Sequence, residues 1–182
     1  MDTMTLIQFP LDKFVNAYQF DNPETNAELL RYIREDGGKL TRQTVVKAYM
    51  TDWRMPMDHK SPLLDPFFKF INDSISSSMA NLAGVTKDPF QYRIANMWGA
   101  IYDEGDYTEA HSHAPCQISF VYYVQADDSN TSPLIFPEID HTVIPSTGML
   151  VMCPGWLTHY VPKYSPKSSS QRIVIAGNIE IQ

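Results

Sequence analysis

The sequence predicts a mainly β domain with flanking α-helices, and three features of the 182-residue chain carry that expectation. From Gln91 onward, short β-type runs are broken by turn residues, which is how an all-β sandwich or barrel reads. Helical periodicity is confined to the first ninety residues, where it suits a scaffold packed on one sheet. The last run, Arg172 to Ile181, alternates over most of its length, as a strand with two differently packed faces does.

Taken in chain order, an extended segment is expected near Leu6 to Phe9. A helix then starts at Asn22-Pro23-Glu24: Asn22 can cap orphan amides, Pro23 suits the first helical position, and Glu24 complements the helix dipole. Leu29, Leu30 and Ile33 mark its apolar face, and Gly37-Gly38 stops it. A second helix is expected from Ser61-Pro62 to Ala83, with Leu64, Phe67, Phe68, Ile71 and Ile75 at helical spacing and Gly84 ending it. The expected strands are Tyr92 to Tyr102, Cys116 to Gln125, Leu134 to Phe136, Thr142 to Ile144, Met149 to Cys153, His159 to Val161 and Arg172 to Ile181. Gly105, Asp127 to Asn130, Pro145 to Gly148, Pro154-Gly155 and Ser165 to Ser168 punctuate them. The working domain count is one, 1–182, with 1–90 a mainly helical scaffold and 91–182 the β core.

Composition narrows the function. A formal charge of −7, from 14 basic and 21 acidic residues, repels a phosphate backbone and argues against nucleic acid as a partner. Two cysteines, Cys116 and Cys153, are too few for a disulfide framework and fit a reducing cytoplasm. No basic region followed by an apolar run and a cleavage site opens the chain, and no segment reaches the roughly 18 apolar residues of a membrane span. A soluble, unprocessed, cytoplasmic protein is the expectation.

The chemistry is concentrated in Glu109-Ala110-His111-Ser112-His113. On an extended strand the imidazoles at i and i+2 point to the same face, so both can reach one metal ion. His159 follows His113 by 46 residues, after Pro154-Gly155 and an apolar strand, as a third ligand from a distant strand. Imidazole suits iron, copper, nickel and zinc alike, so residue type alone does not name the metal. On its own, a His-x-His pair reads equally well as polar surface.

On the last strand Ile173, Ile175, Ile179 and Ile181 share one face, and Arg172, Val174, Ala176 and Asn178 the other. If the isoleucines pack beneath the helices, Arg172 points into the barrel. A buried guanidinium needs an anionic partner, and its forked donors match a carboxylate. The bland alternative is an exposed arginine at a strand end.

These residues carry a family resemblance. Tyr102-x-x-Gly105 leading to His111-Ser112-His113-Ala114-Pro115, Ser119 to Tyr123, Gly148 to Val151, Pro154-Gly155-Trp156-Leu157-Thr158-His159, and Arg172 to Asn178 together resemble the iron(II)- and 2-oxoglutarate-dependent oxygenases, in a branch similar to prolyl 4-hydroxylases. The resemblance covers roughly the C-terminal half, Trp98 to Asn178. The 13 residues from His159 to Arg172 resemble the spacing between the distal ligand and the oxoglutarate-binding basic residue.

The resemblance implies a double-stranded β-helix (jelly-roll) core, with Fe(II) held by His111, His113 and His159. It implies 2-oxoglutarate as cosubstrate, its far carboxylate on Arg172, and O2 as co-reactant. An unactivated C–H bond is hydroxylated, a peptidyl proline being the candidate, with release of succinate and CO2. One departure matters: the wider superfamily usually has Asp or Glu where His113 stands, although small bacterial and phage proteins resembling this one carry His-x-His. Three neutral imidazoles leave the metal its full double charge, favouring an anionic chelating ligand. Glu109, the other neighbour of His111 at a spacing of two, is the reserve carboxylate.

Supporting positions follow from parity. Gln117 and Ser119 share the parity of His113 if no bulge follows Pro115, whereas Ile118, Phe120 and Tyr122 face the other way. Tyr102 is a candidate donor to the oxoglutarate carboxylate, and Asn178 a candidate contact to the cosubstrate or a ligand water; for each, a structural role is as good a reading. Trp156 reads as packing, His141 and His59 as surface, and Cys116 has the wrong parity for an inward thiolate. The tract from Lys47 to Lys60, with Trp53-Arg54-Met55-Pro56-Met57, reads either as a lid or substrate wall or as a surface connection. Three other functions stay open on sequence: a cupin-type metal enzyme without cosubstrate, an interaction module with a degenerate metal site, and, more remotely, a hydrolase using Cys116.

Overall fold

A computed structural model describes residues 13–36, 44–54, 61–83, 91–126, 132–163 and 171–181. Eleven strands, β1 (Asn16–Gln19), β2 (Val46–Lys47), β3 (Tyr49–Met50), β4 (Tyr92–Tyr102), β5 (Tyr107–His111), β6 (Ile118–Gln125), β7 (Leu134–Phe136), β8 (His141–Val143), β9 (Met149–Pro154), β10 (His159–Val161) and β11 (Arg172–Ile181), accompany two helices, α1 (Pro23–Asp36) and α2 (Asp65–Ala83). They form two antiparallel sheets, ordered β1-β9-β6-β11-β4-β3 and β2-β5-β10-β7-β8. This is the mainly β architecture with helices on one sheet that the sequence predicts, in the jelly-roll form that the family resemblance implies.

The larger sheet has a core on each face. Toward the helices, Ile173, Ile175 and Ile179 of β11 pack with Ile118, Phe120 and Tyr122 of β6 against Leu29, Ile33, Phe67, Ile71 and Ile75. Every one of those helical side chains is fully buried, and each burial contributes about 1.5–3 kcal/mol before entropy is charged. The helix start is as the sequence indicates, with Asn22 Oδ1 accepting from the Thr25 amide at 3.0 Å. One residue further, Asn26 pins α1 to β6 by donating to Val124 O at 2.7 Å and accepting from the Tyr122 hydroxyl at 2.9 Å. The second core lies between the sheets, where Trp98, Ala100, Tyr102, Tyr123, Val151, Cys153 and Val174 meet Val46, Leu134, Phe136 and Val161.

Several elements differ from the sequence expectation. The segment Leu6 to Phe9, the stops Gly37-Gly38 and Gly84, and His59 lie outside the described residues. A strand forms at Asn16–Gln19, which adds to the edge of β9 in continuous register. A 3-10 turn, Pro62–Leu64, precedes α2, so the α-helix proper begins later than Ser61-Pro62 suggests. Residues 46–50 cross between the sheets: Val46 and Lys47 pair with β5, Tyr49 and Met50 pair with β4, and Ala48 between them is fully buried. The start of the 47–60 tract is therefore a closing strand pair, and residues 55–60 lie outside the described set.

Candidate metal centre

The three histidines come from the ends of two strands and the loop between β5 and β6. His111 is the last residue of β5, and its register partner is His159, the first of β10. Between His159 and Val161 the pairing slips, so Thr108 and His111 both face the cavity while Glu109 is exposed. Glu109 instead pairs with Lys47 at 3.5 Å, and the group of potential ligands comprises His111, His113 and His159 without it. His113 lies two residues beyond β5, not on it. Its amide donates to Gly155 O at 2.6 Å, and the Gly155 amide donates to Gln117 O at 2.9 Å, so the Pro154-Gly155 turn clamps the segment carrying this histidine.

The donor atoms of the three rings all lie within 4.8 Å of one another. His111 Nδ1 donates to Glu109 O at 2.8 Å and His159 Nδ1 donates to Leu157 O at 3.0 Å. A carbonyl only accepts, so each of these rings carries its proton on Nδ1 and offers the Nε2 lone pair inward, the arrangement found around protein-bound metals. His113 Nε2 lies 3.3 Å from His159 Nε2. Two nitrogens about 2.1 Å from one ion and at right angles stand about 3 Å apart, so the pair fits a shared cation.

Burial sets the charge state. Desolvation lowers His113 to about 3, helped by the neighbouring His159 and His111, and lowers His159 to about 4, helped by His111; His111 is lowered by desolvation against the support of Glu109 O. All three rings are neutral at physiological pH, the form a metal requires. The donor set fits a first-row divalent ion and supplies no negative charge of its own.

The rings open into a cavity between the sheets, also lined by Trp98, Tyr102, Ser119, Tyr123, Cys153 and Arg172. Arg172 is 1% exposed, donates through Nη1 to Ser132 O at 3.0 Å, and sits with Cζ 4.0 Å from the centre of the Tyr102 ring. The Tyr102 hydroxyl shares a 2.7 Å hydrogen bond with Thr108 Oγ1. Ser119 Oγ is 3.2 Å from Cys153 Sγ, a thiol that burial pushes up to about 11. The inward parity expected for Arg172, Val174 and Ala176 is what the structure has, all three lining the cavity.

Gln117 is placed elsewhere: it precedes β6, no strand alternation governs it, and its Oε1 accepts from the Ile181 amide at 3.2 Å. Asn178 is 9% exposed and donates through Nδ2 to Asn96 Oδ1 at 2.8 Å. Trp156 packs against the inner core, and His141 is exposed on β8. Cys116 is half-buried with its thiol raised by desolvation, which disfavours the nucleophilic thiolate. Sequence reasoning missed Trp98, Thr108, Tyr123 and Cys153. Parity held a signal for two of them: Trp98 shares a face with Tyr102, and Tyr123 with Ser119.

Fold and site thus define a jelly-roll domain in which three histidines that could hold a metal ion open into an arginine-containing cavity. No protein-family model and no curated protein matches the sequence. Among solved structures, the chain is similar to the viral collagen prolyl hydroxylase of Paramecium Bursaria Chlorella virus-1 in its 2OG complex (TM-score 0.69, 15% identity, 92% of this chain and 96% of that one). It is similar to a prolyl-4-hydroxylase of Pseudomonas putida (TM-score 0.66, 16% identity, 93% of each chain). It also resembles an oxidoreductase of the 2OG-Fe(II) oxygenase family from Burkholderia pseudomallei (TM-score 0.64, 11% identity, 91% and 84%). At these identities the likeness is one of fold.

Proposed function

We propose that this protein is an Fe(II)- and 2-oxoglutarate-dependent dioxygenase that hydroxylates an unactivated C–H bond. The observation that carries the reading is the convergence of three neutral imidazoles in one cavity with a fully buried guanidinium. His111, His113 and His159 would hold the iron, which when bound activates O2 for the two-electron oxidations on which the reaction depends. The balance is 2-oxoglutarate plus O2 plus R–H giving succinate, CO2 and R–OH.

The chain's own residues bind, orient and exclude water. Arg172 presents a fork of donors to the far carboxylate of the cosubstrate, and Tyr102 beneath the guanidinium fixes its plane. Tyr102 and Thr108 offer hydroxyls in the same lining, and Ser119 is a further polar contact. Tyr123, fully buried with its phenol pushed up by desolvation, stays a neutral donor beside Arg172. The apolar walls of Val46, Leu134, Val151, Val161 and Val174 keep water from the reacting centre.

The substrate proposed is a peptidyl proline, because two of the similar structures are prolyl hydroxylases. Trp53, 41% exposed, stands edge-on to Trp98 at 4.7 Å, and Trp98 stacks on His113 at 6.0 Å, which gives the centre an aromatic flank on which a pyrrolidine ring can pack. No helix among the described residues is long and apolar enough to cross a membrane. The test is release of CO2 from 1-labelled 2-oxoglutarate with Fe(II), with and without a proline-rich peptide. Iron-dependent release stimulated by the peptide supports the reading, and absence of release in both cases contradicts it.

A further inference from the structure

Arg172 enters the cavity from β11, in the larger sheet, whereas His111 and His159 come from β5 and β10 in the smaller one. Two routes run from the guanidinium to β10, the strand that begins at His159. On one side, Arg172 Cζ sits 4.0 Å from the centre of the Tyr102 ring, and the Tyr102 hydroxyl shares a 2.7 Å hydrogen bond with Thr108 Oγ1; Thr108 is the register partner of Val161 on β10. On the other, Arg172 Nη1 donates to Ser132 O at 3.0 Å, and the Ser132 hydroxyl donates to Lys163 O at 3.0 Å. Ser132 thus meets the guanidinium with its backbone and the exit of β10 with its side chain.

The strand pattern alone does not call for that second bond. β7 begins at Leu134, and its register contact with β10 is the Ile135–Tyr160 pair. Ser132 and Lys163 stand opposite each other three residues further along the same antiparallel register, beyond both strands, and there a side-chain hydroxyl continues the connection. Ser132 is 8% exposed, so the bond forms away from competing water. An apolar residue at 132 would still present a carbonyl to Arg172, but it would lose the tie of that carbonyl to β10.

Resting on the reading that 2-oxoglutarate spans this cavity, we propose that Ser132 is a positioning residue that sets the distance between the metal end and the guanidinium, and thereby selects the length of the dicarboxylate. A diacid held at both ends must match the span of its site. One that is a methylene too short or too long meets one end only by losing geometry at the other. The forked guanidinium is the less forgiving end, because its parallel donors demand one carboxylate orientation. Ser132 O fixes Nη1, the Tyr102 ring fixes the guanidinium plane, and the Ser132–Lys163 bond refers both to the strand that carries His159. The hydroxyl does not touch the diacid; it acts through Arg172.

The test is isothermal titration of the full chain loaded with Zn(II), which allows binding without turnover, using 2-oxoglutarate, oxaloacetate (one methylene shorter) and 2-oxoadipate (one longer). The native protein should prefer 2-oxoglutarate about 10- to 200-fold over either homologue, the range that one methylene commands. Ser132→Ala should lose about 3- to 10-fold in affinity for 2-oxoglutarate, the worth of one net hydrogen bond, and less for the homologues, so that the preference shrinks. Ser132→Thr keeps the hydroxyl and should restore the preference, and Zn(II) affinity should stay within a few-fold throughout. Should Ser132→Ala not fold, Ser132→Cys, whose thiol is only a weak donor, takes its place. A merely structural role would lower the thermal midpoint and leave the ratio of the three affinities unchanged, and that result overturns the inference. So does a native protein that binds the three diacids equally. A native protein that takes up Zn(II) but none of the diacids overturns the cosubstrate reading along with it.

Discussion

Nε2 of His113 and Nε2 of His159 stand 3.3 Å apart, with their ring planes within 9° of parallel. Both rings are desolvated and neutral, so the protein maintains a concentrated set of nitrogen donors that gains strongly from a cation between them. Metal should therefore stabilise the native state by mass action, by about 2.7 kcal/mol at a free metal concentration of 100 Kd. Thermal unfolding with and without Mn(II) or Co(II) measures it. His111→Ala, His113→Ala and His159→Ala should each abolish the shift; a shift that survives all three would place the ion elsewhere.

Arg172 is buried on β11, a different strand from those that carry the histidines, and its proposed role is separable from theirs. Replacing it with Leu should raise the KM for 2-oxoglutarate about 10- to 100-fold or more, the loss of one or two charge-assisted hydrogen bonds at about 1.5–3 kcal/mol each. Metal titrations should be unaffected. Arg172→Lys should recover only part of the loss, because an ammonium lacks the forked geometry. An Arg172→Leu protein with native KM would remove the guanidinium from the cosubstrate site.

The turn that holds His113 leaves no room for a side chain. A Cβ at Gly155 would lie 2.0 Å from the carbonyl oxygen of Cys116, backbone that cannot swing aside as a flexible side chain can. Gly155→Ala should therefore cost about 1–3 kcal/mol in stability and also weaken metal binding, since Gly155 O accepts the His113 amide. Gly105→Ala is the control. Its φ of +84° makes the change strained, but nothing lies within 4 Å of the added atom, so it should cost about 1–2 kcal/mol with metal affinity intact. Equal effects on metal affinity would contradict the clamp.

The pH dependence of the metal-free protein follows from burial of the histidines. Their folded values lie below the ordinary 6.5, at about 3 for His113 and about 4 for His159, so below pH 6.5 the unfolded chain takes up protons that the folded one refuses. Stability is thus fully present above pH 6.5 and falls as the pH drops, by about 1.4 kcal/mol per unit for each such ring. Denaturant melts at pH 7.5, 6 and 5 should show the decline, and His159→Gln should flatten it. A native curve that is flat over that interval would mean the rings are solvated or already charged.

How far the site was legible depended on whether strand alternation governed each residue. Arg172, Val174 and Ala176 sit mid-sheet on β11, where a one-residue slip would turn the isoleucines out of the helical core, so their inward direction follows from the pattern. Ser119 is placed by the same rule on β6. Gln117 lies before that strand begins, and the rule has no hold on it. The register slip beside His159 carries no composition signal: it places Thr108 inward and Glu109 outward, and so removes the carboxylate that the sequence kept in reserve. Strands β1, β2 and β3 were invisible for another reason, since two- to four-residue strands draw their stability from the sheets they join.

The most direct test of the account is optical. Purified protein mixed anaerobically with Fe(II) and then with 2-oxoglutarate should develop a visible metal-to-ligand charge-transfer band, because the cosubstrate can chelate the ion only if the three imidazoles hold it on one side and leave adjacent positions open. The band should vanish in His159→Ala and require higher 2-oxoglutarate in Arg172→Leu. If the native protein binds Fe(II) but no band forms at saturating 2-oxoglutarate, the oxygenase assignment is wrong.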